Sequence, residues 1–132
     1  MTDQKLSGID IRKSVMGDEF VDKAMNDSSA FRQPLQHFIN EHAWGGVWTR
    51  PGLSLQTRSL ITLAALTALK APQELTGHVR GALNNGCTVT EIREVLLHCA
   101  VYAGVPASAE AFRAAQAVID ANSHVPIGGV IK

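Results

Sequence analysis

Apolar residues recur at three- and four-residue spacings from Ile9 almost to Asn122, in runs broken by glycine or proline. No run alternates apolar with polar residues as a half-buried strand does. That periodicity confines the chain to helices. The spacing predicts a helix over residues 9–16, ended by Gly17, and another over 19–26 that carries Phe20, Val21, Ala24 and Met25 on one face. A third, over 30–43, places Phe31, Leu35, Phe38, Ile39 and Ala43 in register, with Pro34 tolerated in its first turn. Gly45 and Gly46 are expected to stop it.

Residues 44–54, WGGVWTRPGLS, read as a loop, because three glycines and a proline surround two tryptophans. Its indoles either plug the core or form the wall or lid of a pocket. Ser54 can cap the next helix, 55–70, whose apolar residues cover nearly the whole circumference. Pro72 and Gly86 bracket a helix over 72–85. Thr88 and Glu91 have capping-box spacing for a helix over 91–103, closed by Gly104, and Pro106 opens the last, to about residue 122. Beyond it, Val125, Ile127, Val130 and Ile131 suggest a tail docked on a neighbour. A chain of 132 residues suits one core. The expected fold is therefore all-α, a single-domain bundle of about six or seven helices. Helices 55–70 and 91–103 are apolar on more than one side, which points to burial against a second subunit.

Twelve basic residues balance twelve acidic ones with no long run of either sign. The electrostatic footprint of a nucleic-acid or acidic-membrane binder is missing, so a small molecule or a protein is the expected partner. No segment has transmembrane length, and the polar start MTDQKLSG lacks the regions of a signal peptide, so a cytoplasmic location is the expectation. Cys87 and Cys99 have neither CxxC nor metal-ligand spacing and are read as reduced, with Cys99 packed between helices.

Three groups of side chains can carry chemistry. Glu74 and His78 are i and i+4 on the helix over 72–85, so they share a face that continues to Gly81 and Asn85. A carboxylate beside an imidazole orients the ring and favours its protonated form, which suits proton transfer near neutral pH; the same spacing also describes an ordinary surface ion pair. His98 and Tyr102 repeat the i,i+4 relation one helix later, as pocket or interface residues. Arg50, Arg58 and Arg80 are candidate anion clamps, with Arg50 and Arg58 better placed than Arg12 and Arg93, which read as solvent-facing. No HExxH, paired histidines or acidic cluster indicates a metal, and no glycine-rich loop indicates a nucleotide.

Three blocks stand in order: IRKSVMGDEFVDKAM, WGGVWTRPGLSLQTRSLITLAAL and HVRGALNNGCTVTEIREVLLHCAVYAGVPA. Together they resemble the carboxymuconolactone decarboxylase family, and within it the branch acting on 4-carboxymuconolactone in the β-ketoadipate route of aromatic degradation. Related helical disulfide reductases carry CxxCxxxH on the corresponding helix. With that histidine on His78, their cysteine positions hold Ala71 and Glu74 here, which removes thiol chemistry from this helix.

The resemblance implies a helical homo-oligomer, commonly a hexamer, and a cofactor-free decarboxylation of a lactone dicarboxylate to 3-oxoadipate enol-lactone and carbon dioxide. Glu74 and His78 would then be catalytic. Arg50 or Arg58 would bind the substrate's acetate arm, His98 and Tyr102 would line the pocket, and Trp44 and Trp48 would cover it. A non-catalytic oligomeric binding protein and a thiol-dependent reductase are the competing readings.

Overall fold

The computed structural model describes residues 7–27 and 29–122. The apolar tail read from Val125, Ile127, Val130 and Ile131 lies outside them. Among the described residues there are seven α-helices, one π-helical segment and no strand. The order is α1 (Gly8–Met16), α2 (Asp18–Asn26), α3 (Gln33–Phe38), a π-helix (Ile39–Trp48), α4 (Leu55–Ala68), α5 (Pro72–Asn84), α6 (Val89–Tyr102) and α7 (Val105–Ala121). No helix among them is long and apolar enough to cross a membrane. The chain gathers into two compact units, one through Leu55 and one from Gln56.

In the first unit, α1 packs on the π-helix, and Ile11, Val15, Met16, Val21 and Trp44 form a small core. The expected stop at Gly45 and Gly46 is corrected here, because the helix runs through both and ends at Trp48. Gly45 serves approach rather than termination. A Cβ on Gly45 would lie 3.1 Å from the Asn40 carbonyl oxygen and 3.5 Å from the Cα of Gly8, and a Cβ on Gly8 would collide with that same oxygen. Only hydrogen side chains let the two backbones come this close.

Arg12 is a second correction. It is 6% exposed, not solvent-facing, and its Nη1 donates to Gln36 Oε1 at 3.0 Å and Asn40 Oδ1 at 2.8 Å. Burial lowers its pKa from the usual arginine value, yet arginine keeps its proton in proteins. The two amide oxygens supply the hydrogen bonds that make a buried cation tolerable. Because Gln36 lies in α3 and Asn40 in the π-helix, this contact also pins the start of the π-helical segment to α1. The apolar stripe expected of the third helix is only partly inward: Ile39 and Ala43 are half-buried, whereas Phe31, Leu35 and Phe38 are exposed.

The second unit is built on aliphatic packing. Leu63, Leu75, Val79, Ala82, Ile92, Leu96, Ala111, Ala115 and Val118 form its core, with α7 packed on both α5 and α6. Local chemistry fixes the helix ends. Thr88 and Glu91 form the capping box read from their spacing: Thr88 Oγ1 accepts from the Glu91 amide at 3.0 Å, and the Thr88 amide donates to Glu91 Oε1 at 2.9 Å. After α5 the chain turns through Gly86 at φ +90°, while the Cys87 amide reaches back to the Ala82 carbonyl at 2.9 Å and the Gly86 amide to that of Leu83 at 3.0 Å. This pair of bonds needs a left-handed residue at Gly86, and a Cβ there would also press on Gln56 Nε2 at 2.9 Å. α4 ends without glycine, Lys70 adopting φ +56° instead. Nor is α4 covered all round within the chain: Ser59, Leu63 and Thr67 are buried, but Ile61 is exposed, as is Leu69 just past its end.

Candidate active site

The sequence-derived candidates fall into both units, and each group is positioned by its own helix. In the first unit, the wide turn of the π-helix brings Trp44 and Trp48 into a stack, with ring centroids 4.6 Å apart and planes 27° from parallel. π-Helical turns are rare and concentrate at functional sites. Trp44 is buried in the core, whereas Trp48 is half-buried and lines an open cleft. The alternatives left by the sequence are thus divided between the two indoles, one a plug and one a wall. The cleft has a volume of about 360 Å³ and is lined by Ile11, Trp48, Thr49, Arg50, Leu53 and Leu55, among others. That is the size of a small-molecule pocket.

Arg50 is exposed at the turn that follows the π-helix, where its amide donates to the Val47 carbonyl at 3.0 Å. It is the single charged residue lining this cleft among the described residues. A guanidinium against an indole and aliphatic walls suits a carboxylate attached to an apolar body.

In the second unit, Pro72 sits in the first turn of α5, and Glu74 and His78 follow on one flank of that helix. Glu74 is exposed and His78 is half-buried, so the imidazole is the more sheltered of the two. Gly81 is buried on the same flank, and Asn85, one residue beyond α5, donates from Nδ2 to Ser59 Oγ at 2.9 Å. The flank that carries His78 is therefore tied to α4 at its far end. Arg58, adjacent to Ser59, is half-buried, and both Arg58 and His78 are engaged by neighbouring groups.

His98 and Tyr102 meet as their spacing predicted, with ring centroids 5.0 Å apart. Both are exposed within the single chain, Tyr102 at 79%. Leu97 and Val101 beside them are exposed as well.

Both cysteines are buried free thiols. Burial, with a smaller contribution from the Glu91 carboxylate, pushes Cys87 up to about 11, and its Sγ donates weakly to the Gln56 carbonyl at 3.5 Å. Burial raises Cys99 in the same way. Raised thiols hold little thiolate at neutral pH, the reverse of what a redox or nucleophilic cysteine needs. Among the described residues no group of three or more His, Cys, Asp or Glu side chains is arranged to hold a metal ion.

One residue the sequence reading set aside, Arg12, holds the polar centre of the first unit. A signal for it existed, because Arg12 falls three and four residues before Val15 and Met16 on the apolar stripe of α1.

Residues 33–117 match the Carboxymuconolactone decarboxylase family, and the chain belongs to that family. It is 45% identical over 111 residues to the 4-carboxymuconolactone decarboxylase of Acinetobacter baylyi, an alignment covering 84% of this chain and 83% of that protein. It is 49% identical over 113 residues to a nitrosuccinic acid decarboxylase of Metarhizium robertsii, covering 86% of this chain and 79% of the relative.

Proposed function

We propose that this chain is a 4-carboxymuconolactone decarboxylase, a carboxy-lyase that converts the lactone to 3-oxoadipate enol-lactone and carbon dioxide without a cofactor. The observation that carries this reading is the 45% identity with the Acinetobacter enzyme over most of both chains. The substrate supplies its own electron sink. Loss of carbon dioxide leaves a pair of electrons that passes through the ring double bond to the lactone carbonyl, so no thiamine or pyridoxal group is required.

The protein must then hold the acetate arm, steady the negative charge on the carbonyl oxygen and deliver a proton to the carbon beside that carbonyl. His78 is the general acid or the oxyanion donor, and Glu74 is its orienting carboxylate. A positioned proton donor typically contributes about 10²–10⁴-fold, and one oxyanion donor about 10²–10³-fold. Arg50 or Arg58 binds the acetate carboxylate. Trp48, His98 and Tyr102 are assigned to the walls and cover, with Trp44 stacked on Trp48 from the core side. The departing carboxylate should be left poorly stabilised, because contacts stronger in the ground state than in the transition state slow the step.

The same reading makes the chain one functional domain of a cytoplasmic homo-oligomer in the β-ketoadipate route, with a hexamer favoured. Support for assembly comes from Ile61, Leu69, Leu97, Val101 and Val105, large apolar side chains exposed on the second unit of the single chain. The test of the activity is to add freshly generated 4-carboxymuconolactone to the purified protein, with no cofactor, and follow ultraviolet absorbance and carbon dioxide release. Turnover is expected, and its absence would overturn the assignment. The 49% identity with the nitrosuccinic acid decarboxylase favours a second reading, in which nitrosuccinate is the substrate of the same residues.

A further inference from the structure

We infer that the site selects a molecular fragment rather than one whole substrate. The fragment is a carbon that bears the departing carboxylate, a carboxymethyl arm and a group able to take up an electron pair. This rests on the decarboxylase reading above and extends it to a substrate class, the succinates substituted at C2 by an anion-stabilising group.

Two observations carry it. The first is chemical. The substrates named for the two relatives look unlike each other, one a ring and one an open chain, yet both contain this fragment. In the lactone, the bond from the γ carbon to its carboxylate breaks, and the electron pair moves through the ring double bond onto the carbonyl oxygen. A proton is then taken up beside that carbonyl. In 2-nitrosuccinate, the C1–C2 bond breaks, the pair moves into the nitro group as a nitronate, and a proton added at C2 gives 3-nitropropanoate. Each reaction releases one carbon dioxide, takes up one proton and needs no oxidant or reductant.

The second observation is the cleft of the first unit. Its lining includes one charged residue, Arg50, set among Trp48, Leu53, Leu55 and Ile11. One guanidinium holds one carboxylate. The rest of the lining is uncharged, with Thr49 and Ser54 beside the apolar groups, and gives a second carboxylate no cation to pair with, which favours its loss over its retention. The cleft is open and has about 360 Å³ of room, so it does not impose the outline of a lactone ring on the rest of the ligand. Selection thus falls on the carboxymethyl arm and on the substrate's ability to delocalise the electron pair.

The experiment compares 4-carboxymuconolactone and 2-nitrosuccinate with the intact protein, with succinate and 2-methylsuccinate as probes that carry the arm but no sink. Expected are carbon dioxide release from the first two, formation of 3-nitropropanoate from nitrosuccinate, and mutual competition. The two probes should inhibit competitively without being consumed. Arg50→Gln should raise both KM values by a similar factor, about ten- to a hundredfold, as expected for loss of a hydrogen-bonded charge contact. If the lactone turns over while nitrosuccinate neither reacts nor competes, the inference falls and the lactone decarboxylase reading stands. An Arg50→Gln effect confined to one substrate also overturns it. If neither compound reacts, the decarboxylase reading itself falls.

Discussion

The two units of this chain solve the same problem, how to join short helices, by different means. In the first, a buried arginine bonded to two amides and a glycine-to-glycine backbone approach hold α1 against the π-helix, over a core of few apolar side chains. In the second, aliphatic residues from four helices interlock, and the helix ends are closed by local caps. The difference separates two tasks. Polar contacts with defined directions fix a wide, unusual helical turn that frames the Arg50 cleft, whereas non-directional packing gives α5 a firm base from which to present Glu74 and His78.

The contrast can be broken by mutation. Leu96→Ala, at a site 1% exposed in the second core, should cost about 2–5 kcal/mol in denaturant unfolding, the range for emptying a packed leucine position. A loss under 1 kcal/mol would mean that aliphatic packing is not what holds this unit. His78→Ala should lower kcat about 10²-fold or more while circular dichroism and oligomeric state stay unchanged. Unaltered turnover would remove His78 from the mechanism and leave α5 a structural helix.

Arg12→Met keeps the aliphatic stem but strands the amide oxygens of Gln36 and Asn40, and should cost about 1–3 kcal/mol in the same unfolding assay. A neutral or stabilising outcome would show that the polar centre contributes specificity rather than stability.

The smallest effect concerns Cys87. Its thiol is raised to about 11, so the folded state holds the proton after an ordinary thiol has released it. The stability tied to the buried neutral thiol is thus fully present below about 9 and is lost as pH climbs from there through about 11. Cys87→Ala should flatten that part of the stability profile. In wild type, alkylation of Cys87 at neutral pH should be slow and should track unfolding.

Much of this was legible in the residues. Spacing located every α-helix, and Gly17, Gly86 and Gly104, placed at helix ends by pattern, all take positive φ. The capping box at Thr88 and Glu91 and the meeting of His98 with Tyr102 follow from i,i+3 and i,i+4 geometry, which is local and so survives translation into structure. Gly45 misled because a glycine that ends a helix and one that lets another backbone approach look alike in one dimension. Lys70 gave no sign of its left-handed turn, because the bonds that close α4, from the Lys70 amide to the Thr67 carbonyl at 3.1 Å and from the Ala71 amide to the Leu66 carbonyl at 3.0 Å, require that conformation of a residue type that does not favour it.

What the sequence by itself determined is therefore the set of helices, their caps and the shared flank of Glu74 and His78, all consequences of contacts within a few residues. Tertiary structure decided which arginine is buried, where the π-turn stacks Trp44 on Trp48 beside the Arg50 cleft, and that both thiols are held neutral. Those outcomes depend on desolvation and on partners that lie far away along the chain, such as Gln36 and Asn40 for Arg12, and no periodicity encodes them.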